Sequence, residues 1–194
     1  MKSNELKAIA LEQFALHGYQ GASLSAIADK AGIKKQSIYS HFKSKEDLFI
    51  RAFEDSVQHE LDFIERDLVG SDTSIRNMLN QFPANYLARY REDSNMKFFL
   101  RTSFFPPVEL EEPIKEGTEK YISGLESLFV QLFEKYGQLH GEMTPEKASV
   151  AYLTILDGLL VELMYGRTDR LEKRLDHSLE VFWKGVSERS VRNE

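Results

Sequence analysis

Residues 18–48, GYQGASLSAIADKAGIKKQSIYSHFKSKEDL, constrain this chain more than any other stretch, because they place two short helical patterns on either side of one glycine. Leu24, Ile27, Ala28 and Ala31 recur at spacings of three and four, which predicts a helix over about 24–31 with one apolar face. Ser23 precedes that pattern and is suited to accept from an orphan backbone N–H as its N-cap. Gly32 follows it as the natural C′ residue, where a left-handed turn carries no Cβ penalty. A second helix is expected over about 35–42, with Ile38 and Phe42 pointing inward. Gln36, Ser37 and Ser40 then fall outward, with Lys35, Tyr39 and His41 along the edges. The small–turn–apolar spacing of Ala28, Gly32 and Ile38 is that of a helix-turn-helix, here over about 22–42.

The outward face carries polar and aromatic tips and no large aliphatic side chain, which suits it to base edges and phosphates. Lys34 and Lys35 stand at a helix N-terminus, against the macrodipole, at ~0.3–1 kcal/mol each. A phosphate seated there explains the pair; the plainer alternative is two solvated lysines. Gln36 can pair with adenine through N6 and N7, and Lys35 with guanine O6 and N7.

The stretch resembles the DNA-binding domain of the tetracycline-repressor (TetR) family of bacterial transcription regulators. The resemblance is carried by Phe14, Gly18, Tyr19, Ser23, Ile27, Ala28, Ala31, Gly32, Ile33, Tyr39, His41, Phe42, Lys45, Glu46 and Leu48, and covers roughly the first 60 residues. It implies that Ser23, Tyr39, His41 and Lys45 contact the DNA backbone. It also implies that Ser25, Lys35, Gln36 and Ser37 lie near bases or phosphates. Lys45, after Ser44, opens the next helix, whose first amides would form a phosphate clamp with it. Lys34 stands where the family often has Ser, Gln36 where it often has a small residue or Pro, and Ala26 where an acid is common.

A net charge of −6 fits a DNA-binding protein only once it is divided. Residues 1–50 hold seven Lys and five Asp/Glu, or +2, and the remainder holds 18 Lys/Arg and 26 Asp/Glu, or −8. The first part can approach DNA while the acidic remainder is repelled. The absence of cysteine suits a cytoplasmic protein, and no apolar run reaches the length of a membrane helix or signal peptide.

The rest of the chain reads as helices throughout. Residues 2–17 form the first, with Leu6, Ile9, Ala10 and Phe14 inward and Gly18 as its end. A long helix is expected over 45–69, opened by Ser44 and Asp47 in near capping-box spacing and closed by the turn residues 70–74. Another runs over about 75–91, where Pro83 predicts a kink or interruption. Phe98, Phe99, Phe104 and Phe105, followed by Pro106 and Pro107, make the densest aromatic patch. Pro113 opens a helix to about 136, Thr144 and Pro145 cap one to about 165, and a last one spans about 169–189, before a frayed tail.

The fold class is therefore all-α: an N-terminal three-helix DNA-binding domain over 1–46 and a helical ligand-binding and dimerisation domain over 47–194. The last two helices look apolar on more faces than one chain can cover, so a four-helix interface between two copies is expected. Tyr152, Ile155, Gly158, Leu159, Leu175, Leu179, Phe182 and Trp183 are its candidate residues. The TetR resemblance implies a homodimer through these same two helices. An apolar effector pocket is expected from Tyr86, Tyr90, Phe98, Arg101, Phe104, Phe105 and Tyr121, with Arg101 available to an acidic ligand, against the alternative that the rings are simply core. No nucleophile motif, phosphate loop or metal-ligand spacing is present, so no catalytic residue, metal or cofactor is expected. The function implied is a repressor that binds a palindromic operator as a dimer and responds to a small molecule. The alternative is a helical ligand-binding or interaction module whose helix-turn-helix does not read DNA.

Overall fold

A computed structural model describes residues 2–69, 74–166 and 168–187. The expected turn at 70–73 and the tail beyond 187 lie outside the described residues. The elements are α1 Ser3–Gly21, α2 Leu24–Lys30, α3 Lys35–Ile38, α4 Lys45–Val69, α5 Ile75–Tyr90, α6 Ser94–Phe104, a 3-10 turn Val108–Leu110, α7 Glu111–Tyr136, α8 Pro145–Met164 and α9 Thr168–Val186. Among the described residues there is no strand, only one isolated bridge between Leu139 and Ser187. Two compact units form, one from residues 1–64 and 89–122, the other from 65–88 and 123–194.

In the first unit α1 buries Leu6, Ala10 and Phe14, as its spacing predicts. Phe14 meets Phe49 edge-on at 4.8 Å, Phe49 meets Phe98 at 5.2 Å, and Phe53 stacks on Phe99 at 6.0 Å. Tyr121 closes the series against Phe99 at 4.5 Å. α7 can approach this cluster because residue 117 is glycine: a Cβ there would lie 2.8 Å from the Phe53 ring.

Glu60 of α4 is fully buried in the same unit, on the face that carries Val57 and Ile64. Its carboxylate accepts from Arg89 Nη1 at 2.8 Å, Arg89 Nη2 at 2.5 Å and Asn95 Nδ2 at 2.7 Å. Arg89 also donates Nε–H to Asp93 at 2.5 Å and lies 4.0 Å above the Phe63 ring. Burial pushes the Asp93 carboxyl up, but the Arg89 guanidinium and the amides of Met96 and Asn95 outweigh it and hold it below its ordinary value.

In the second unit α5 runs through Pro83 without interruption, so of the expected kink or interruption the latter does not occur. A proline lacks the N–H that would satisfy the carbonyl four residues back, here that of Leu79. The Tyr152 hydroxyl of α8 donates to that carbonyl at 2.7 Å and takes the missing partner's place. Burial raises the Tyr152 phenol well above its ordinary pKa, so it stays a donor.

Most of the expected dimer-facing residues pack inside the second unit. Tyr152, Leu159, Leu175, Leu179, Phe182 and Trp183 are all buried within their own chain. Phe182 packs on Trp183 at 5.0 Å, Tyr152 at 5.7 Å and Phe133 at 6.2 Å, and Trp183 Nε1–H donates to Asn80 at 2.7 Å. A side chain that fills its own core has no surface to offer a second copy. Ile155 is half-buried and Gly158 exposed. The large apolar residues exposed here are Val150 and Val161 on α8, Tyr165 at its C-cap and Val181 on α9.

Candidate nucleic-acid interface

The reading unit is set up by its ends. Ser23 Oγ accepts from the Ala26 N–H at 3.1 Å and caps α2 as expected. At the other end Gly32 N–H donates to Asp29 O at 3.1 Å and Ile33 N–H to Ala28 O at 3.0 Å, the paired bonds of a Schellman turn. Gly32 takes φ +64°, the left-handed conformation that turn requires. Ile38 and Phe42 are buried, so the second half of the motif is anchored as its spacing predicts.

The second helix is shorter than expected. Regular α-helix ends at Ile38, and Tyr39 to His41 continue as tighter turns, with Tyr39 N–H donating to Gln36 O at 3.2 Å and His41 N–H to Ile38 O at 2.9 Å. Ser40 contributes by donating its hydroxyl to Ser37 O at 2.7 Å, a local bond that competes with the helical ladder. Lys34 occupies the N-cap position with extended backbone and no side-chain cap.

Ser23, Ser25, Lys34, Lys35, Gln36, Ser37, Tyr39 and His41 are all exposed, Tyr39 at 51%. Among the described residues Lys34 and Lys35 form no ion pair, whereas Lys30 is paired with Glu12 at 2.7 Å. The outer face of α3 therefore presents free cations beside an amide with no intramolecular partner. Lys45 is placed differently. Its half-buried ammonium donates to Tyr19 O at 2.8 Å and Ala22 O at 3.2 Å and sits 4.2 Å above the Tyr19 ring. It holds the turn that leads into α2. Ser44 Oγ accepts from Asp47 N–H at 3.1 Å, while the Asp47 carboxylate reaches back to Lys43 N–H at 2.8 Å, one residue beyond a regular capping box.

The residues expected to line an effector pocket are dispersed. Phe98 and Tyr121 are buried among the rings of the first unit. Tyr86 packs on Phe82 at 5.5 Å in the second unit, and Tyr90 is half-buried at the end of α5. Phe104 and Phe105 are 41% and 68% exposed. Arg101 and Phe105 line one cavity together.

His59, Glu60 and Asp93 bring three ligand-type atoms within 4.8 Å of one another. Arg89 already supplies the cation that both carboxylates face, which makes this a closed salt-bridge network. It went unread in the sequence, although a glutamate three residues after Val57 and four before Ile64, on the apolar face of α4, was the available signal.

Two short helices joined through a left-handed glycine, with a free cationic and polar face on the second, define a helix-turn-helix DNA-binding protein. Residues 8–52 match the family described as "Bacterial regulatory proteins, tetR family", so the reading unit is similar to the DNA-binding domain of those regulators. The chain is 25% identical over 123 residues to the fatty acid metabolism regulator protein of Bacillus subtilis (strain 168), a match spanning 63% of each chain. Its fold is that of a putative TetR-family transcriptional regulator from Mesorhizobium loti, at TM-score 0.72 with 24% identity and 96% of each chain covered. It is also that of the transcriptional regulator FadR from Bacillus subtilis in complex with stearoyl-CoA, at TM-score 0.67 with 21% identity, covering 95% of this chain and 99% of that one. No helix among the described residues is long and apolar enough to cross a membrane.

Proposed function

We propose that the protein is a cytoplasmic, dimeric, ligand-responsive repressor, with residues 1–46 reading a palindromic operator and 47–194 serving dimerisation and effector binding. The observation that carries this reading is the outer face of α3, where exposed Lys34, Lys35, Gln36 and Tyr39 have no ion pair among the described residues. Lys34 and Lys35 neutralise phosphates, Gln36 and Ser37 read base edges, and Ser23, Ser25, Tyr39, His41 and Lys45 fix register on the backbone.

Dimerisation uses the residues that α8 and α9 leave outside their own core. Val150, Thr154, Gly158, Val161 and Tyr165 recur at three- and four-residue spacings along α8, the spacing of a helix–helix seam, and Val181 is the large apolar residue exposed on α9. Two such seams brought together cover valines that water otherwise meets. The stearoyl-CoA held by the Bacillus subtilis neighbour supports a hydrophobic effector for this kind of helical scaffold. An effector releases DNA only if it binds the non-reading state better.

The test is selection of genomic DNA fragments by the purified protein at two salt concentrations, with sedimentation of the same sample. The expected result is a palindrome bound by an even number of chains, with affinity falling steeply in salt. A well-folded dimer that prefers no sequence refutes it.

A further inference from the structure

A cavity of about 220 Å³ lies within the first unit, where α1, α4 and α6 come together. Phe14, Phe49 and the exposed Phe105 supply its apolar walls, and Arg101, His17 and Thr102 its polar ones. Phe14 and Phe49 pack edge-on beneath the cavity and are themselves buried, so the ring surface open to a flat ligand is that of half-buried Tyr19 and exposed Phe105. The Arg101 guanidinium has no hydrogen-bond or ion-pair partner among the described residues. It rests against the backbone of Gly18, whose Cβ, if present, would lie 3.4 Å from Arg101 Nη2. A guanidinium is suited to grip a carboxylate through two parallel N–H donors.

The geometry points to a binding site here for a small aromatic monocarboxylate, its ring against Tyr19 and Phe105 and its carboxylate on Arg101. Size agrees, since a cavity of ~150 Å³ is enough to take up benzene, and 220 Å³ leaves room for the carboxylate. Charge selects the monoanion. The Tyr19 phenol at the same cavity has its pKa raised by burial and then by the nearby Glu46 and Glu109 carboxylates. Gln20 is neutral and donates to Glu109, and the Lys45 ammonium is directed at the Tyr19 and Ala22 carbonyls, which leaves Arg101 as the cation among the residues that line the cavity. With Glu46 and Glu109 near the Tyr19 side of the cavity, a phosphate with two charges meets more repulsion than a carboxylate with one. The location gives binding a consequence. Gly18, at φ +69° and ψ 177°, is the break in α1 from which the chain turns into α2, so a ligand touching both sides of that break can bias the reading unit.

The consequence for DNA rests on the repressor reading; the binding does not. The experiment is calorimetric titration of the full chain with sodium benzoate, and with benzamide as its uncharged counterpart. Wild-type protein is expected to bind benzoate roughly tenfold or more tightly than benzamide, and Arg101→Gln to lose that advantage while still binding benzamide. Phe105→Ala, at an exposed position, is expected to weaken both ligands. No binding of benzoate at millimolar concentration, or equal benzoate affinity in well-folded Arg101→Gln protein, overturns the inference. A protein that binds its operator and ignores benzoate sinks this inference alone, and one that binds benzoate and no DNA sinks the repressor reading alone.

Discussion

Replacing Arg89 by methionine removes a cation while keeping most of the side chain's length. Glu60, at 0% exposure, then loses its donors at 2.8 and 2.5 Å and keeps the Asn95 amide at 2.7 Å. Removing one partner of a buried ion pair leaves an uncompensated charge and costs about 3–5 kcal/mol. For a chain of this size that lowers Tm by roughly 6–20 °C. The pH profile changes as well. In the wild-type protein Asp93 is pushed up by burial but held below its ordinary value, chiefly by Arg89. A depressed folded pKa gives stability that is present above the unfolded value of about 3.9 and is lost as pH falls through the folded one. Without Arg89 the burial remains and the opposing charge is gone, so this acid-limb loss flattens. The assay is urea unfolding at neutral pH and below pH 4 of wild type, Arg89→Met, Glu60→Met and the double variant. Removing both charges is expected to recover much of the loss, because the fully buried Glu60 carboxylate is no longer there to be left unpaired and the partly exposed Asp93 keeps the Asn95 and Met96 amides. A loss under about 1 kcal/mol in Arg89→Met, or strict additivity in the double variant, refutes the reasoning.

Gly18→Ala forces a Cβ into a backbone region, φ +69° and ψ 177°, that is nearly reserved to glycine, and is expected to destabilise by about 1–3 kcal/mol; an unchanged melting temperature contradicts this. Lys35→Ala is expected to weaken operator binding evenly across sequences and to reduce the slope of log K against log salt by about 0.9. Gln36→Ala instead relaxes preference at one base pair by about 1–3 kcal/mol, and competition with single-base operator variants distinguishes the two. Gly158→Ala meets nothing within 4 Å in its own chain, so a solvent-facing helix would gain about 0.5–1 kcal/mol. At a helix–helix seam the added methyl raises the dimer dissociation constant, which sedimentation reads, and a stabilised dimer of unchanged affinity contradicts the proposed interface.

The helix-turn-helix was legible because its determinants are local. Ser23 caps within three residues, Gly32 turns at its own φ, and Ile38 and Phe42 are placed by period alone. What stayed hidden depends on partners distant in sequence. Glu60 finds Arg89 29 residues away, and Tyr152 finds the Leu79 carbonyl 73 residues away. Pro83 shows how this matters: a rule about one residue predicts a kink or an interruption, and a hydroxyl from another helix supplies the donor that the Leu79 carbonyl lacks. The α8 and α9 residues show the converse. Their apolar period was correctly seen, but periodicity marks a face as buried without saying whether its own chain or a second one buries it. The bulkiest residues, Tyr152, Phe182 and Trp183, went to the chain's own core and left valines outside.

Lys45 connects these themes, because it was expected at the DNA backbone and is found holding the motif together. Its two bonds are to Tyr19 O and Ala22 O, the carbonyls immediately before the Ser23 cap. Lys45 is also the first residue of α4. A displacement of the start of α4 therefore either stretches two charge-assisted hydrogen bonds and a cation–π contact with Tyr19, or carries the start of α2 with it. The second course keeps those bonds, and the flexible joint that permits it is Gly18, the residue in α1 with non-helical backbone. Lys45 is joined in this by Phe49, the α4 ring that packs on Phe14 and Tyr19, and the Gly32 turn and the buried Ile38 tie α3 to α2.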